Sequence, residues 1–425
     1  MRGRTVKQRP LAAPPPTETP SLRESVALVS RQPIYSAVMA VTAYELLYLP
    51  SKAAPPSAAT REAAIKVVAD AALEIGLDRL AGGLPVHINY PRELLLAASP
   101  PSLHPERVII EVVVEPPGDP ALLDGIRALR SRGHRIALDE HSPALQDPAL
   151  LGAVDIVKID VSKRAAAELE GLARAPRARG LQLIAQQVDT VERFEQCAQL
   201  GFHGFQGDFL HRPETFRAQR VPSSRLSTLR LISALQNSEY SIEEVESLVA
   251  QDISLSYRVL RCINSSFYNL QRKVESIRQA IVILGIENLR QIAALVALQG
   301  FDNRPVSLFV TAMVRARMCE QLARLAGAKD TGPYFITGLF SLLEVLTGIP
   351  APDLFDQLPL SRAVERALIA QEGDMGAALK CARAYERASW RRVAYGGLRT
   401  ELIRAAYVDA VFWAERAQTL TAAHQ

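Results

Sequence analysis

Glu45, Asn89, Glu111 and Asp139 offer oxygen donors and Lys158 offers an ammonium, each in or at the end of a β-rich run. Brought together, such a set has two uses. It can hold hard divalent cations, which need several oxygen ligands, most of them anionic. It can equally persist as a hydrogen-bonded network. One polar residue at a strand end is ordinary, but five in order at strand ends point to a shared site.

The elements that must position them are short apolar runs suited to buried strands: Val26–Val29, Val108–Val114, Arg135–Asp139, Ile156–Asp160 and Leu181–Ala185. Helix-like stretches such as Ala58–Leu80, Pro120–Ser131 and Thr190–Leu200 lie between them. Repeated strand–helix alternation predicts a parallel sheet, and this many repeats favours closure into an α/β barrel. Barrels gather residues distant in sequence at the C-terminal ends of their strands.

After about Arg220 the strand signals stop. Pro213 and Pro222 bracket a linker, and Ser241–Glu244 and Ser276–Gln279 read as capping boxes that start helices, with Asp252 capping another. Helical patterning continues to the C-terminus. The chain thus divides into a basic, Pro-rich leader (1–25), a barrel (26–213), a linker (214–223) and an all-α domain (224–425).

Composition agrees with two soluble domains: 425 residues are too many for one core, and 48% apolar residues suffice for two. A net charge of +4 makes no case for nucleic acid. Cys197, Cys262, Cys319 and Cys381 are scattered without a Cys-x-x-Cys pair, which fits a reducing cytoplasm. The basic leader lacks the apolar core of a signal peptide, and no run approaches the ~18 apolar residues of a membrane span. A soluble, cytoplasmic protein is expected, with no membrane and no nucleic-acid partner.

Arg31-Gln32-Pro33-Ile34-Tyr35 followed by Tyr44-Glu45-Leu46-Leu47 resembles the opening of an EAL domain, the cyclic di-GMP phosphodiesterase family. The resemblance covers about residues 26–213. It implies that Glu45, Asn89, Glu111 and Asp139 match the ligands of two Mg²⁺ or Mn²⁺ ions, that Lys158 matches the catalytic lysine, and that Gln206-Gly207 matches a substrate-side motif near the barrel's end.

The departures weigh against turnover. Glu140-His141-Ser142 stands where the family has a second aspartate followed by Phe-Gly, and the longer side chain displaces a bridging carboxylate. Gln186 replaces a glutamate and Gln187 a glycine in the family's Ala-Glu-Gly-Val-Glu loop. Leu49 stands in place of an arginine that pairs with a substrate phosphate, and Val114 in place of a loop glutamate. Losing a ligand and the arginine together implies on the order of 10³-fold or more in rate.

Asp252–Leu260, Ile263-Asn264-Ser265 and Ser276–Ile281 followed by Leu284-Gly285 resemble an HDOD domain, a relative of the HD phosphohydrolases. The histidines are His87, His104, His134, His141, His203, His211 and His424, so the helical domain has none before its tail. An HD metal centre needs several. Asp252, Arg258 and Asn264 therefore read as caps and packing residues, and the arginines of the later helices as a solvated face.

Together the two resemblances imply a catalytically inactive EAL–HDOD signalling protein. It would act through regulatory proteins that meet the HDOD domain, with cyclic di-GMP as at most a weakly sensed ligand. No cofactor is expected, and Mg²⁺ or Mn²⁺ enters only under the competing reading, a slow metal-dependent phosphodiesterase.

Overall fold

A computed structural model of the chain describes residues 28–49, 76–90, 92–96, 104–114, 119–139, 145, 147–211, 223–236, 239–264, 274–298 and 304–422. Eight strands close in sequence order into a barrel: β1 (Leu28–Tyr35), β2 (Val41–Leu49), β3 (Val86–Tyr90), β4 (Val108–Val112), β5 (Arg135–Asp139), β6 (Ile156–Asp160), β7 (Gln182–Gln186) and β8 (Gly204–Phe205). From β2 to β8 neighbours run parallel, whereas β1 is antiparallel to both β2 and β8.

The first strand differs from expectation. It runs on from Leu28 through the Arg31–Tyr35 motif and turns back at once into β2, with Ser36 N donating to Ala40 O at 2.8 Å. A tight turn can only join antiparallel neighbours, because a parallel return needs a crossover of a dozen residues or more. Of the stretch expected to be helical over Ala58–Leu80, the described residues hold only a helix at Leu77–Ala81. The helix Pro120–Ser131 forms as expected, with Asp119 accepting from Ala121 N and Pro120 in its first turn.

Period-two alternation fills the barrel in two tiers. Ile34, Ala43, Ile109, Ala137, Ile156 and Ile184 form a lower apolar layer. Two residues further along the same strands stand Glu45, Glu111, Asp139, Lys158 and Gln186. The packed lower layer is thus the floor on which the polar tier rests.

Beyond the barrel the described elements are helices, from Ser223–Leu235 to Thr400–Ala422. Ser241 and Glu244 form a reciprocal capping box at 3.3 and 2.7 Å. The Ser276 box is only half made. Its hydroxyl accepts from Gln279 N, but the Gln279 side chain reaches one residue further back and accepts from Glu275 N. Asp252 caps the helix Ile253–Ile263 through Leu255 N, Arg258 donates to Val296 O, and Asn264 bonds Val274 through both its amide atoms. These three residues are caps and packing residues, as the sequence implies. At Gly338 an added Cβ would lie 2.4 Å from Arg315 O, so the crossing of the helices Val306–Leu325 and Gly332–Phe340 requires glycine.

Two C-terminal helices, Gly373–Glu386 and Thr400–Ala422, lie against the outer side of β1. Arg31 pairs with Glu415 at 2.6 Å and sits over the Tyr44 ring. Ser30 Oγ donates to Glu386 O at 3.2 Å, and Arg387 pairs with Asp208 at 2.9 Å. No helix among the described residues is long and apolar enough to cross a membrane.

Candidate functional site

The polar tier converges on Lys158. Its Nζ, on a fully buried side chain, donates to Glu45 Oε2 at 2.6 Å and also to Glu111 Oε1. Glu45 takes two further bonds, from Asn89 Nδ2 at 3.1 Å and from Gln206 Nε2 at 2.7 Å. Glu111 Oε1 is shared with His87 Nδ1 at 2.8 Å. With its amide set so that the oxygen faces the ammonium, Gln186 Oε1 accepts from Lys158 Nζ at 3.2 Å and Nε2 donates to Asp139 Oδ1 at 3.3 Å. All six residues anticipated here on described strands or beside β8 therefore meet in one cluster, and Gln186 joins them as an amide bridge.

The backbone explains the convergence. Register pairs Asn89 with Glu111, Asp139 with Lys158 and Gln32 with Glu45 on adjacent strands. Gln206 is fixed by Gln206 N to Ala185 O at 2.8 Å and Val188 N to Gln206 O at 3.0 Å. A Cβ at the next residue, Gly207, would fall 2.1 Å from Val188 O, which accounts for the Gln-Gly pair. The loop after β7 keeps its left-handed turn although its glycine is gone: Gln187 has φ 57°.

Two residues were not anticipated. His87 lies two residues before Asn89 and so points to the same side of β3. That spacing was the available signal. Gln32 stands opposite Glu45 and accepts from Gln206 Nε2 at 2.9 Å. Glu140 and His141 lie outside the described residues, as does the side chain of Leu49. Val114 is buried in the apolar core.

Burial alone would raise the Glu111 carboxyl, but the Lys158 ammonium and His87 pull it down to about 2. Burial would likewise lower Lys158, yet Glu111 and Glu45 hold its ammonium above the ordinary lysine range. An ammonium so held does not take a proton from water at neutral pH.

The described residues do not fit a two-metal centre. The Lys158 ammonium lies at bonding distance of two of the carboxylates that would serve as ligands, Glu45 and Glu111, and Glu45 is committed to three protein donors. Among the described residues no three His, Cys, Asp or Glu side chains are placed to hold a metal ion. One carboxylate oxygen, Glu111 Oε2, is buried without a hydrogen-bond partner.

An HDOD domain model matches residues 221–373. The chain is 30% identical over 397 residues to the uncharacterized protein YuxH of Bacillus subtilis (strain 168), covering 91% of this chain and 97% of that one. It is also 30% identical over 401 residues to CdgJ of Vibrio cholerae, named a cyclic di-GMP phosphodiesterase, covering 91% of this chain and 92% of that one. A solved PaMucR phosphodiesterase in complex with c-di-GMP is similar over 45% of this chain and 96% of its own, at 22% identity and a TM-score of 0.37. With a closed eight-strand barrel followed by the HDOD region, and with relatives matched along almost their whole length, this chain belongs to the EAL–HDOD family of signalling proteins.

Proposed function

We propose that the protein is a catalytically inactive member of a cyclic di-GMP-related regulatory pathway, acting through protein–protein contacts of its HDOD domain. The observation that carries this reading is the Lys158 ammonium bonded to both Glu45 and Glu111. Protein donors thereby take up the carboxylates that a phosphodiesterase would give to metal ions. The likeness to CdgJ supports the pathway. Division into a barrel at 26–213 and a helical domain from 224 gives each part a separate task, ligand sensing and partner capture.

A second reading, a slow phosphodiesterase using one cation, is favoured by the unpartnered Glu111 Oε2 and by the name of the Vibrio relative. Calorimetric titration of cyclic di-GMP into the full-length protein with excess Mn²⁺ separates the two. A flat trace or simple saturation fits an interaction module or a receptor. Sustained heat after each injection overturns the inactive reading and establishes turnover.

A further inference from the structure

The outer side of β1 carries more than a domain contact. Between β1 and the helices Val306–Leu325, Gly373–Glu386 and Thr400–Ala422 lies a cavity of about 50 Å³, whose lining includes Tyr35, His211, Ser307 and Tyr407. Three buried polar atoms there have no hydrogen-bond partner: Tyr35 Oη, Ser307 Oγ and His211 Nε2. The Tyr35 side chain is wholly buried. Ser307 lies close enough to act on its phenol, but the two hydroxyls do not meet with the geometry of a hydrogen bond. Buried polar atoms are rarely left unpaired, so three around one cavity call for a molecule that bonds them.

The chemistry of that molecule follows from the charges. Arg31 is paired with Glu415, Arg315 with Glu386 through two bonds at 2.8 and 3.1 Å, and Arg387 with Asp208. The carboxylate and the guanidinium that line the cavity, Glu386 and Arg31, are thus both neutralised by partners outside it. His211 Nδ1 lies 3.6 Å from Asp208 Oδ1, and Nε2 is the ring nitrogen left without a partner. The two hydroxyls can donate or accept. At roughly 10–15 Å³ per water the cavity has room for about four waters or a solute of that size.

We infer that the seam between the barrel and the helical domain is a binding site for a small uncharged hydroxylic molecule. The site is tied to the barrel interior by the strand it touches. Arg31, Pro33 and Tyr35 line the seam, while the alternating residue Gln32 bonds Gln206, which bonds Glu45. Occupancy of the seam thus bears on the strand that orders the Glu45 network. This inference does not depend on whether the barrel binds cyclic di-GMP.

Ethylene glycol matches the cavity in size and chemistry and serves as the probe. The test follows the thermal melting of the full-length protein against its concentration, for wild type, Tyr35→Phe and Tyr35→Phe/Ser307→Ala. The expected result is a saturable rise in melting temperature in wild type, with apparent affinity weakened about tenfold in Tyr35→Phe and lost in the double variant. A crystal structure at the saturating concentration is expected to show the diol bonded to Tyr35, Ser307 and His211. A linear rise identical in all three proteins would overturn the proposal, as would glycol seen at crystal concentration only or a cavity holding water alone. A double variant that melts higher than wild type without glycol would also sink it, since the cavity would then be dry.

Discussion

Glu45 and Lys158 are 113 positions apart in the chain, and their side chains meet at 2.6 Å inside the barrel. With Glu111 on the other side of the same ammonium, they form a buried triad in which either carboxylate depends on the lysine. Removing one member of a buried ion pair leaves an uncompensated charge and costs about 3–5 kcal/mol. Lys158→Met is therefore expected to lose that much stability in urea unfolding. Lys158→Met/Glu111→Gln should recover part of the loss. A Lys158→Met protein within about 1 kcal/mol of wild type would mean that the triad is not formed in solution.

The depressed carboxyl of Glu111 sets a pH dependence. Its folded value of about 2 lies below the ordinary 4.5, so the unfolded chain binds the proton first. The stabilisation is present in full above pH 4.5 and is lost as pH falls toward 2. Asp208, also held near 2, contributes in the same direction. Acid titration of unfolding should show wild type losing stability across that window, and Glu111→Gln losing less. Parallel curves for the two proteins would contradict the assignment.

Gln186 bridges Asp139 and Lys158, so a carboxylate in its place would face one like and one opposite charge. Gln186→Glu adds an anionic donor beside Asp139, in a cluster that already holds the unpartnered Glu111 Oε2. Hard cations respond to the number of anionic oxygens. Mn²⁺ titration should detect binding in Gln186→Glu at least tenfold tighter than in wild type, and Gln186→Glu/Glu140→Asp/Leu49→Arg should bind tighter still. Equal, negligible heats for all of them would mean that the barrel mouth has been remodelled beyond these positions.

Most of this barrel was legible because strand periodicity and strand-end chemistry are local. Glu45, Asn89, Glu111, Asp139 and Lys158 each occupy a β-rich run, and closure brings such ends together. The antiparallel β1–β2 hairpin escaped notice because Arg31–Tyr35 holds a proline and two polar residues, which hides a strand whose outer face is buried by other helices. The lysine's partners were not legible either. Whether an ammonium orients a water or neutralises two carboxylates is decided by distances of an ångström, and residue type does not carry them. The seam was least visible of all, since Arg31 and Glu415 sit in domains that the sequence treats separately.

The loop after β7 stores backbone strain. Gln187 adopts φ 57°, a region that costs a non-glycine residue roughly 1 kcal/mol or more, and its side chain is exposed. Gln187→Gly relieves that cost while adding unfolded-state entropy, so a net gain of about 0.5–1 kcal/mol is expected. Denaturant melts of the two proteins decide it, and a less stable glycine variant would show that the Gln187 side chain makes a compensating contact.

The two tryptophans, Trp390 and Trp413, both lie in the helical part, so their fluorescence reports that part alone while circular dichroism reports the whole chain. The ion pair between buried Arg31 and half-buried Glu415 joins that part to β1, with Arg31 also donating to Leu80 O. Arg31→Met takes the guanidinium away from Glu415 and from over the Tyr44 ring, a loss of about 3 kcal/mol from the seam. Coupled domains unfold together while the interface outweighs the difference in their own stabilities. Fluorescence and dichroism midpoints should coincide in wild type and separate in Arg31→Met, with Arg31→Met/Glu415→Leu drawing them together again. Coincident midpoints in Arg31→Met would place the coupling elsewhere, in the Arg387–Asp208 pair or in the bonds that Tyr407 accepts from Ser30 Oγ and the backbone N–H of residue 31.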